Sequence, residues 1–414
     1  MAYYRWICTQ TGARELYAVP RAFYRRERLA RLYTDFWAKS NWLRYFSGLL
    51  GEPFRGVSRR YHPELPNNLV NSFNASAVLA EVRAKLSVRI KSDPDVFYLY
   101  WARVLRKFGS DICNHLRRHK LDGPGPYALY AYSYGALELL EYAKEAGYFS
   151  VLNQIDLSMV ELEIVAQERL KWPGWETPLE HICKTNFERL KTEHSRAEWS
   201  KANLIVVNSE WSKQALVGDS VPAEKIVVVP LAYEPEPGVT AHVCENVDRP
   251  LNILWIGQVN LRKGIPYLIE AAKLLPSVRF TVAGPVFVNE NMLKTAPKNT
   301  QFIGRVNRAQ AHKLYSDADV FVLPTISDGF ALTQLEAMAH GLPVIATLRC
   351  GKVVTDGVDG LIIPFGDSAM LAGAIAKLDQ DRKLISELSR NAPAKAAKFT
   401  LEACANAIEA AAHP

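Results

Sequence analysis

Long apolar segments and clustered cysteines are both missing from this 414-residue sequence. It contains no run of about 18 apolar residues, so we predict no transmembrane helix. The first residues lead directly into a predicted strand and form no apolar signal-peptide core. The six cysteines are scattered without Cys-x-x-Cys spacing, which argues against a zinc site and favours reduced thiols over disulfides. These absences predict a cytoplasmic protein.

Several signatures of nucleophilic and metal-dependent catalysis are absent as well. The sequence has no serine elbow, no HExxH motif and no P-loop. Two Asp-x-Asp strings, residues 93–95 and 317–319, have the form of a ligand for a metal–diphosphate complex. The first is predicted to lie in a loop, with Asp95 capping the next helix. The second is predicted to begin a strand, at the edge of the sheet away from a ligand crevice. We therefore predict no metal site and no cofactor.

Length and charge indicate two domains and an uneven distribution of charge. A chain of 414 residues exceeds one typical domain, and 49% hydrophobic with 22% charged residues is typical of a globular protein. Residues 1–120 hold 22 Lys and Arg against 9 Asp and Glu, and aromatic residues are interleaved with the cations at 21–26 and 37–46. Such a face fits an anionic bilayer or an anionic substrate, and a solvated helical face over buried aromatics is the alternative. Nucleic acid is not predicted, because no recognition motif accompanies the charge.

Short apolar runs alternate with helical patterns along the chain, which predicts an α/β protein with parallel sheets. Predicted strands of the first half lie at 4–10, 30–36, 127–132, 148–155, 202–209 and 225–229. The first predicted helix follows residues 11–14 and ends near Arg28. The other predicted helices of the first half lie at 96–119, 133–146, 157–170 and 178–200. Residues 37 to about 98 are predicted to be irregular. Proline and acidic residues at 234–250 lack periodicity, so we predict domains at 1–235 and 251–395 with a linker at 236–250.

The most informative stretch covers residues 319–347. Val320–Leu323 is short and apolar, as in a strand that is buried on both faces of a parallel sheet. Residues 331–340 have apolar residues at helical spacing, and Gly341 stands where a helix C-terminus commonly needs glycine. A second apolar run follows directly. The pattern predicts a strand–loop–helix–strand crossover.

The loop of this unit, residues 327–330, is the predicted ligand site. It follows the carboxyl end of a strand and precedes a helix N-terminus, whose unpaired N–H groups and partial positive charge suit phosphate. Gly329 has no Cβ, so a ligand can approach the backbone closely. Asp328 and Glu336, eight positions apart, are predicted to face one crevice and to accept hydrogen bonds from sugar and ribose hydroxyls.

Other candidates lie at the ends of other predicted strands. The loop 257–264 carries Arg262 and Lys263, two cations that suit a diphosphate, with an exposed loop cation as the alternative for Arg262. Gly12 separates the first strand from the first helix, as either a ligand-side glycine or a plain turn glycine. Asp156 ends a later strand, where it either contacts a sugar or acceptor or caps the next helix.

The sequence from residue 328 to 344 carries a family resemblance. An acidic residue, Gly-Phe, a small residue and then Glu-Ala-Met-Ala-x-Gly-x-Pro-Val resemble the signature of glycosyltransferase family 4, retaining enzymes of the GT-B architecture that use nucleotide-sugar donors. The resemblance is most specific over residues 251–367. Asp328 replaces the usual Glu, Gln258 replaces a common Arg, and a His often found near Asp156 is absent.

The resemblance implies a fold and an activity. The fold is α/β of the GT-B type, with two Rossmann-like, doubly wound domains facing a central cleft, and residues 396–414 cross back to the first domain as a helix. The activity is retaining, metal-independent transfer of a sugar from a nucleoside-diphosphate sugar to a hydroxyl acceptor, a glycan or a lipid-linked saccharide. No cofactor is implied beyond the donor. A membrane-borne acceptor would place the protein on the cytoplasmic face of a membrane.

The resemblance also assigns roles to residues. Glu336 would hold the ribose, and Asp328 with the backbone that follows it would hold the sugar. The first amides of the helix and the two loop cations would hold the diphosphate, and Arg305 and Val306 would border the nucleobase. The predicted catalytic residues are Asp328, Lys263 and Asp156. The predicted donor-binding residues are Gly12, Arg262, Lys263, Arg305, Val306, Asp328, Gly329, Phe330, Ala331, Leu332, Thr333 and Glu336.

Two other interpretations of the sequence remain open. One is a different chemistry on the same fold, a nucleotide-sugar epimerase or a phosphorylase. An epimerase would need acid and base residues in the first domain, and a phosphorylase a lysine pattern for its cofactor, and neither is evident. The other is a non-catalytic protein that binds membranes or glycans, which the substitutions at 258 and 328 would allow.

Overall fold

Two parallel β-sheets, one in each half of the chain, organise the fold. The computed structural model describes residues 3–39, 59–121, 123–176, 186–243 and 249–412. The strands of the N-terminal half are β1 (Arg5–Gln10), β2 (Leu29–Thr34), β3 (Val70–Ser72), β4 (Tyr127–Tyr132), β5 (Phe149–Asn153), β6 (Leu204–Val207) and β7 (Ile226–Val228). The strands of the C-terminal half are β8 (Asn252–Ile256), β9 (Arg279–Ala283), β10 (Thr300–Gly304), β11 (Val320–Leu323), β12 (Val344–Ala346) and β13 (Gly360–Ile362).

Both sheets have a doubly wound order. Neighbouring strands follow the order β3-β2-β1-β4-β5-β6-β7 in the first sheet and β10-β9-β8-β11-β12-β13 in the second, and these pairings are parallel. The direction of strand addition therefore reverses between β1 and β4 and between β8 and β11. Open α/β sheets bind ligands outside the carboxyl ends of their strands at such points. The loops after these four strands are thus the expected place of a site.

Helices connect the strands and cover the sheets. The helices of the N-terminal half are α1 (Ala18–Arg25), α2 (Asn74–Leu86), α3 (Val88–Ser92), α4 (Pro94–Arg118), α5 (Leu137–Glu145), α6 (Ser158–Lys171), α7 (Asn186–Lys201) and α8 (Glu210–Gly218). The helices of the C-terminal half are α9 (Ile265–Leu274), α10 (Glu290–Leu293), α11 (Arg308–Asp317), α12 (Leu332–Ala339), α13 (Ser368–Gln380), α14 (Arg382–Ala396) and α15 (Leu401–Ala412).

The crossover predicted at residues 319–347 is present as β11, α12 and β12. All four residues of β11 are buried, as expected for an apolar strand in the middle of a parallel sheet. His340 caps the C-terminus of α12, and Gly341 follows with a φ of +85°, a left-handed conformation that favours glycine. The predicted α/β class with parallel sheets is confirmed.

The prediction of an irregular stretch at 37–98 is wrong over much of the part that the structure describes. β3, α2, α3 and the start of α4 lie there. In α2 the residues that face the protein are Ala80 and Ala84, whereas Leu79 and Leu86 are exposed. Helix prediction relies on apolar residues at the core-facing positions, and α2 inverts that pattern.

The first helix is shorter than predicted. Glu15, Leu16 and Tyr17 have positive φ angles of 43°, 53° and 62°. A right-handed helix cannot include such residues, so α1 begins only at Ala18 and ends at Arg25, before the predicted end near Arg28.

Both Asp-x-Asp strings take part in local structure. Asp93 caps α4 by accepting the backbone N–H of Asp95 at 3.0 Å, so the prediction that Asp95 is the cap is wrong. Asp319 is buried at the start of β11. Its carboxylate pairs with the Arg249 guanidinium at 2.5 and 2.6 Å and accepts the backbone N–H of Asn252 at 2.8 Å. Burying a carboxylate is costly unless it is paired and hydrogen-bonded, and these partners offset that cost for Asp319.

The end of the chain packs against the first sheet. Cys404 and Ile408 of α15 lie in the same apolar core as Trp6 of β1. Arg26, just after α1, lies 3.0 Å from the carboxylate of Glu409. Helix α15 therefore packs against the N-terminal half of the chain, although it follows the second sheet in sequence.

Candidate functional site

The loops after β8 and β11 meet at a cluster of charges around Asp328. Lys263 Nζ contacts Asp328 Oδ2, and Arg262 Nη1 lies 3.3 Å from Asp328 Oδ1. The carbonyl oxygen of Arg262 accepts the backbone N–H of Ile326 at 2.9 Å and that of Ser327 at 3.3 Å. The structure thus brings together three residues that the sequence singled out. We call Arg262, Lys263 and Asp328 the ion cluster.

Gly264 allows the two loops to approach each other. Leu261–Lys263 form a single 3-10 turn, in which the Asn260 side chain accepts the backbone N–H of Lys263 at 3.0 Å. Gly264 follows with a φ of +74°, and a Cβ atom there would lie 1.9 Å from the carbonyl oxygen of Pro324. Only a residue without a side chain fits this position, so the glycine places the Lys263 turn against the loop after β11.

Replacing Gly264 with alanine should lower the free energy of unfolding by at least about 2 kcal/mol, because the left-handed backbone and the contact with Pro324 are both unfavourable for a Cβ. Gly357 provides the matched control, with a φ of +70° and open space where its Cβ would lie. Gly357→Ala should cost only about 1 kcal/mol. Urea unfolding followed by circular dichroism measures both losses. Equal losses would show that the backbone at Pro324 moves aside at little cost.

The N-terminal half of the chain closes over the ion cluster. Glu161 of α6 lies 3.1 Å from Arg262 Nη1 and accepts a hydrogen bond from the hydroxyl of Ser327 at 3.2 Å. Trp211 of α8 donates its indole N–H to the same hydroxyl at 3.3 Å. The cleft between the two sheets is therefore narrow at this point, and side chains from both halves surround the same polar atoms.

The loop that carries Asp328 is held from two sides. The backbone N–H of Asp328 donates to the carbonyl of Arg349 at 2.8 Å. On the other side, a Cβ atom on Gly329 would lie 2.7 Å from the side-chain nitrogen of Asn208, which follows β6. The absence of a side chain at Gly329 thus lets the loop lie directly against the opposite half of the chain.

Two carboxyl groups of the cleft differ in their acidity. Burial would raise the pKa of Asp328, but the charges of Lys263 and Arg262 outweigh it and hold the pKa below its ordinary value. Burial raises the pKa of Glu161 above its ordinary value despite Arg262, and the negative charges of Asp328 and Asp156 raise it further. Asp156 is therefore within electrostatic reach of Glu161, which contacts the ion cluster.

Asp156 is positioned by two other side chains of the N-terminal half. Its Oδ2 atom accepts the hydroxyl of Tyr134 at 2.6 Å and lies 3.0 Å from the ammonium of Lys191. The helix after it, α6, has Leu157 as its N-cap and no side-chain hydrogen bond at that end. The alternative that Asp156 caps this helix is therefore wrong, and Asp156 faces the cleft side of the sheet.

Glu336 lines a cavity of about 330 Å³ between the two halves of the chain. Its Oε2 atom accepts the hydroxyl of Tyr315 at 2.8 Å. Burial raises the pKa of Tyr315, and the negative charge of Glu336 raises it further, so the phenol keeps its proton and donates it. The other walls of the cavity include Arg21, His62, Tyr233, Arg308, His312 and Leu332.

The predicted single crevice for Asp328 and Glu336 is wrong. Among the described residues that line the cavity, Glu336 and Leu332 are present and the ion cluster is not. Asp328 directs both of its oxygens to Lys263 and Arg262. The two acids therefore occupy neighbouring compartments on either side of the first turn of α12.

The N-terminus of α12 separates these compartments. Asp328 lies four residues before Leu332, the first residue of the helix, and Leu332 lines the cavity. Ala331 is the N-cap and gives the first turn no side-chain hydrogen bond. The first N–H groups of a helix have no partner within the helix and carry a partial positive charge. An anion placed here would lie beside Thr333 and the cations of the ion cluster.

Of the predicted donor-binding residues, Leu332 and Glu336 line the cavity and the others do not. Phe330 is buried in the core, where its ring packs 6.0 Å from that of Phe399, so only its backbone is available to a ligand. Arg305 is exposed and Val306 half-buried, and neither belongs to the cavity wall. Arg308, at the start of α11, lines the cavity instead.

Gly12 lies in a turn that side chains hold in place. It has a φ of +80°, and its N–H donates to Asp35 Oδ1 at 2.9 Å. The same carboxylate pairs with Arg60 at 2.7 Å. Gly12 is not part of the cavity wall, whereas Glu15, three residues later, is.

The cations of α1 do not form a free basic face. Arg21 is buried, and both Arg21 and Arg25 pair with the carboxylates of Glu64 and Glu234. These ion pairs argue against residues 21–26 as a face for an anionic bilayer, and that interpretation stays an untested prediction. Most of the second basic and aromatic run, 37–46, lies outside the described residues.

The described part of the chain contains neither a cluster of metal ligands nor a helix that could span a membrane. No three side chains of His, Cys, Asp or Glu are grouped there as a metal would require. None of the helices there has both the length and the apolar character needed to span a bilayer. Of the cysteines, Cys8, Cys113, Cys350 and Cys404 are buried free thiols.

Sequence reasoning missed Glu161 and Tyr315. Glu161 lies in the first turns of α6, which follows the end of a predicted strand. That position is the one feature of the sequence that could have indicated a role for Glu161 in the site. Tyr315 belongs to α11, the helix before β11, and its hydroxyl reaches Glu336 of α12 only through the tertiary fold. Neither contact has a fixed spacing along the chain.

Comparisons with known proteins agree with this architecture. Residues 250–381 match the family described as Glycosyl transferases group 1. The amylovoran biosynthesis glycosyltransferase AmsK of Erwinia amylovora is 27% identical over 212 residues, which are 47% of this chain and 51% of AmsK. The D-inositol 3-phosphate glycosyltransferase of Mycolicibacterium vanbaalenii is 25% identical over 293 residues, 61% of this chain and 64% of the relative. The chain therefore matches between about half and two thirds of the length of these relatives.

Solved structures extend the likeness to the whole chain. The structure of Anabaena HepE in complex with UDP has a TM-score of 0.60 to this chain at 17% sequence identity, and the match covers 97% of each chain. At this identity the likeness concerns the fold. The chain thus has the GT-B fold, and its residues 250–381 match the family model of the glycosyl transferases group 1.

Proposed function

We propose that the protein is a retaining, metal-independent glycosyltransferase that moves a sugar from a nucleoside-diphosphate sugar to a hydroxyl acceptor. The observation that carries the proposal is the N-terminus of α12, which lies between a carboxylate in a cavity and a pair of cations. A nucleoside-diphosphate sugar has this sequence of groups: ribose hydroxyls, two phosphates and a sugar. We propose residues 251–395 as the donor domain, residues 1–235 as the acceptor domain, 236–250 as the linker and 396–414 as the returning segment.

The nucleoside would occupy the cavity. Glu336 would accept hydrogen bonds from the ribose hydroxyls, and Tyr315 would hold the carboxylate in position through its 2.8 Å hydrogen bond. A cavity of about 330 Å³ is of the size of small-molecule sites. Arg305 and Val306, predicted to border the nucleobase, would act from outside the present wall, and Arg308 lies in it.

The diphosphate would lie across the first turn of α12, next to Lys263 and Arg262. In the structure both cations pair with Asp328. Bound phosphates would compete for them, so donor binding would free Asp328 to accept hydrogen bonds from the sugar. As charge develops on the departing diphosphate, the cations and the helix N–H groups would stabilise it, which is electrostatic preorganisation.

The acceptor would enter from the N-terminal half. Asp156, held by Tyr134 and Lys191, is the proposed acceptor-side residue, and Glu161 faces the ion cluster from the same half. The names of relatives support this reading: AmsK belongs to amylovoran biosynthesis, and HepE has been solved with UDP and with UDP-glucose. A glycan or a lipid-linked saccharide is the proposed acceptor class, and the cytoplasm the proposed location.

A nucleotide panel tests donor binding. If the cavity holds a nucleoside diphosphate, one of UDP, GDP and ADP should raise the melting temperature by about 3 °C at roughly a hundredfold excess over its Kd, for a chain that unfolds as one unit. Differential scanning fluorimetry measures the shift, with the corresponding nucleoside as the control for base recognition alone. No shift with any diphosphate at millimolar concentration would contradict the proposal.

Product analysis separates the proposed activity from its alternatives. With the donor identified, an epimerase would release a free altered sugar or nucleotide sugar, a phosphorylase would require phosphate, and a binding protein would turn over nothing. A transferase forms a glycoside whose anomeric configuration, read by proton NMR, equals that of the donor if the reaction is retaining. Unchanged rates in excess EDTA are expected for a metal-independent reaction.

A further inference from the structure

Helices α2 and α3 expose large apolar side chains and bury small ones. Leu79 and Leu86 of α2 are 68% and 79% exposed, and Val88 of α3 is 79% exposed. The buried positions of α2 are Ala80 and Ala84. A helix on the surface of a globular protein normally has the opposite arrangement. A cluster of large, exposed apolar side chains marks a site that binds a membrane or another molecule.

The exposed apolar side chains of α2 form one stripe. They are Val78, Leu79, Val82 and Leu86. At 100° per residue these positions span about 100° of the helix circumference, opposite the buried alanines. By the same geometry, Lys85 lies on one side of the stripe and Arg83 on the other. An apolar stripe bordered by cations is the pattern of a helix that lies in a membrane interface.

The sequence of this surface carries a positive net charge. Residues 74–92 contain four cations, and Glu81 is the one acidic residue among them. The four cations are Arg83, Lys85, Arg89 and Lys91. In the part of the chain that the structure describes, no ion pair involves any of the four, in contrast to Arg21 and Arg25 of α1.

We propose that α2 and α3 form a docking surface for an anionic lipid bilayer. The apolar stripe would enter the boundary between headgroups and acyl chains, and the cations would pair with anionic headgroups. A second copy of this chain fits less well, because a two-fold contact through the stripe would bring the flanking cations of both copies together. A basic protein partner would need acidic groups beside the stripe, and Glu81 is the one acidic residue within 74–92.

The position of α2 relates this surface to the cleft. Asn74, its first residue, exchanges two hydrogen bonds of 2.9 Å with the backbone of Trp37, which follows β2. The carboxyl ends of β1, β2 and β3 lie at the same edge of the parallel sheet. Docking through α2 would therefore place the acceptor side of the cleft beside the bilayer. This consequence rests on the proposed function, whereas docking itself does not.

Vesicle co-sedimentation of the whole protein tests the surface. The vesicles are phosphatidylcholine alone or phosphatidylcholine with phosphatidylglycerol, at low and high salt. We compare Leu79→Ser with Leu86→Ser combined, Arg83→Gln with Lys85→Gln combined, and the matched control Leu274→Ser, which removes an exposed leucine of α9. All the changed side chains are exposed, so thermal melts should stay close to those of the unmodified protein.

The unmodified protein should bind the anionic vesicles and not the neutral ones, and salt should weaken this binding. Each double variant should lower the partition coefficient by about tenfold or more, and Leu274→Ser should leave it unchanged. The proposal would be overturned if the unmodified protein did not bind anionic vesicles, or if both double variants bound them as strongly as the unmodified protein does. A concentration-dependent dimer that Leu79→Ser and Leu86→Ser dissociate would assign the stripe to a second copy instead. The nucleotide-induced melting shift should persist in every variant, which separates this result from the fate of the proposed function.

Discussion

Replacing Lys263 with methionine should lower the rate of sugar transfer by about 10²- to 10³-fold. The side chain keeps much of its length but loses the charge that would face the departing diphosphate, and removal of one preorganised electrostatic group typically costs an enzyme this much. Lys263 is also one of the two cations that hold the pKa of Asp328 low. In the variant that pKa should rise, because burial is then opposed only by Arg262 and the backbone hydrogen bond from Gly329.

The rate is measured as release of the nucleoside diphosphate with donor and acceptor present. Lys273→Met is the matched control, because Lys273 pairs with Glu270 on the exposed side of α9 and lies in the same half of the chain. Lys263→Arg should recover part of the lost rate, since it restores the charge with a different hydrogen-bonding geometry. A Lys263→Met variant with a rate within threefold of the unmodified protein would remove Lys263 from the proposed mechanism.

The features of the fold that depend on local pattern could be predicted from the sequence. The apolar run of β11, the helical spacing of α12 and the glycine at 341 each depend on residues close together in the chain. Their physical causes, namely burial on both faces, one apolar helix face and a left-handed residue after the helix, act within a few positions. The meeting of Arg262 and Lys263 with Asp328 followed from topology, because loops at the carboxyl ends of adjacent strands β8 and β11 must lie side by side.

The errors have a common origin in contacts between distant parts of the chain. Asp328 and Glu336 were expected in one crevice because they are close in sequence, but Lys263 draws one acid to the strand loops and Tyr315 holds the other in the cavity. The cations of α1 were expected at the surface, and Glu234, more than 200 residues away, pairs with them. No periodicity within a single segment contains this information.

The two compartments also indicate an order of events. Lys263 pairs with Asp328, and Arg262 pairs with both Asp328 and Glu161, so neither cation stands in the cleft without a partner. A diphosphate would replace the Asp328 carboxylate as the partner of the two cations, and Asp328 would then accept hydrogen bonds from the sugar. One exchange of partners would thus prepare both the phosphate contacts and the sugar contact. Glu161 contacts Arg262 from the opposite half, which would make the state of the cleft sensitive to the same exchange.

Replacing Glu336 with glutamine should weaken binding of the preferred nucleoside diphosphate by about 10- to 100-fold. Hydrogen bonds to a charged acceptor contribute about 1.5 to 3 kcal/mol, and 1.4 kcal/mol corresponds to a factor of ten in Kd. The variant keeps the shape of the side chain and an oxygen that can accept the Tyr315 hydroxyl, so its melting temperature without ligand should change little. Isothermal titration calorimetry with the nucleotide that gives the largest melting shift measures the effect.

Tyr315→Phe separates contact with the ligand from positioning of the carboxylate. It removes the hydroxyl that lies 2.8 Å from Glu336 but leaves the charge, so it should weaken binding less than Glu336→Gln does. In the double variant the two losses should not add, because the phenol acts through the carboxylate. Glu402→Gln, an exposed change in α15, is the control for the removal of one negative charge. Unchanged nucleotide affinity in Glu336→Gln would place the ribose elsewhere, and additive losses would assign Tyr315 a ligand contact of its own.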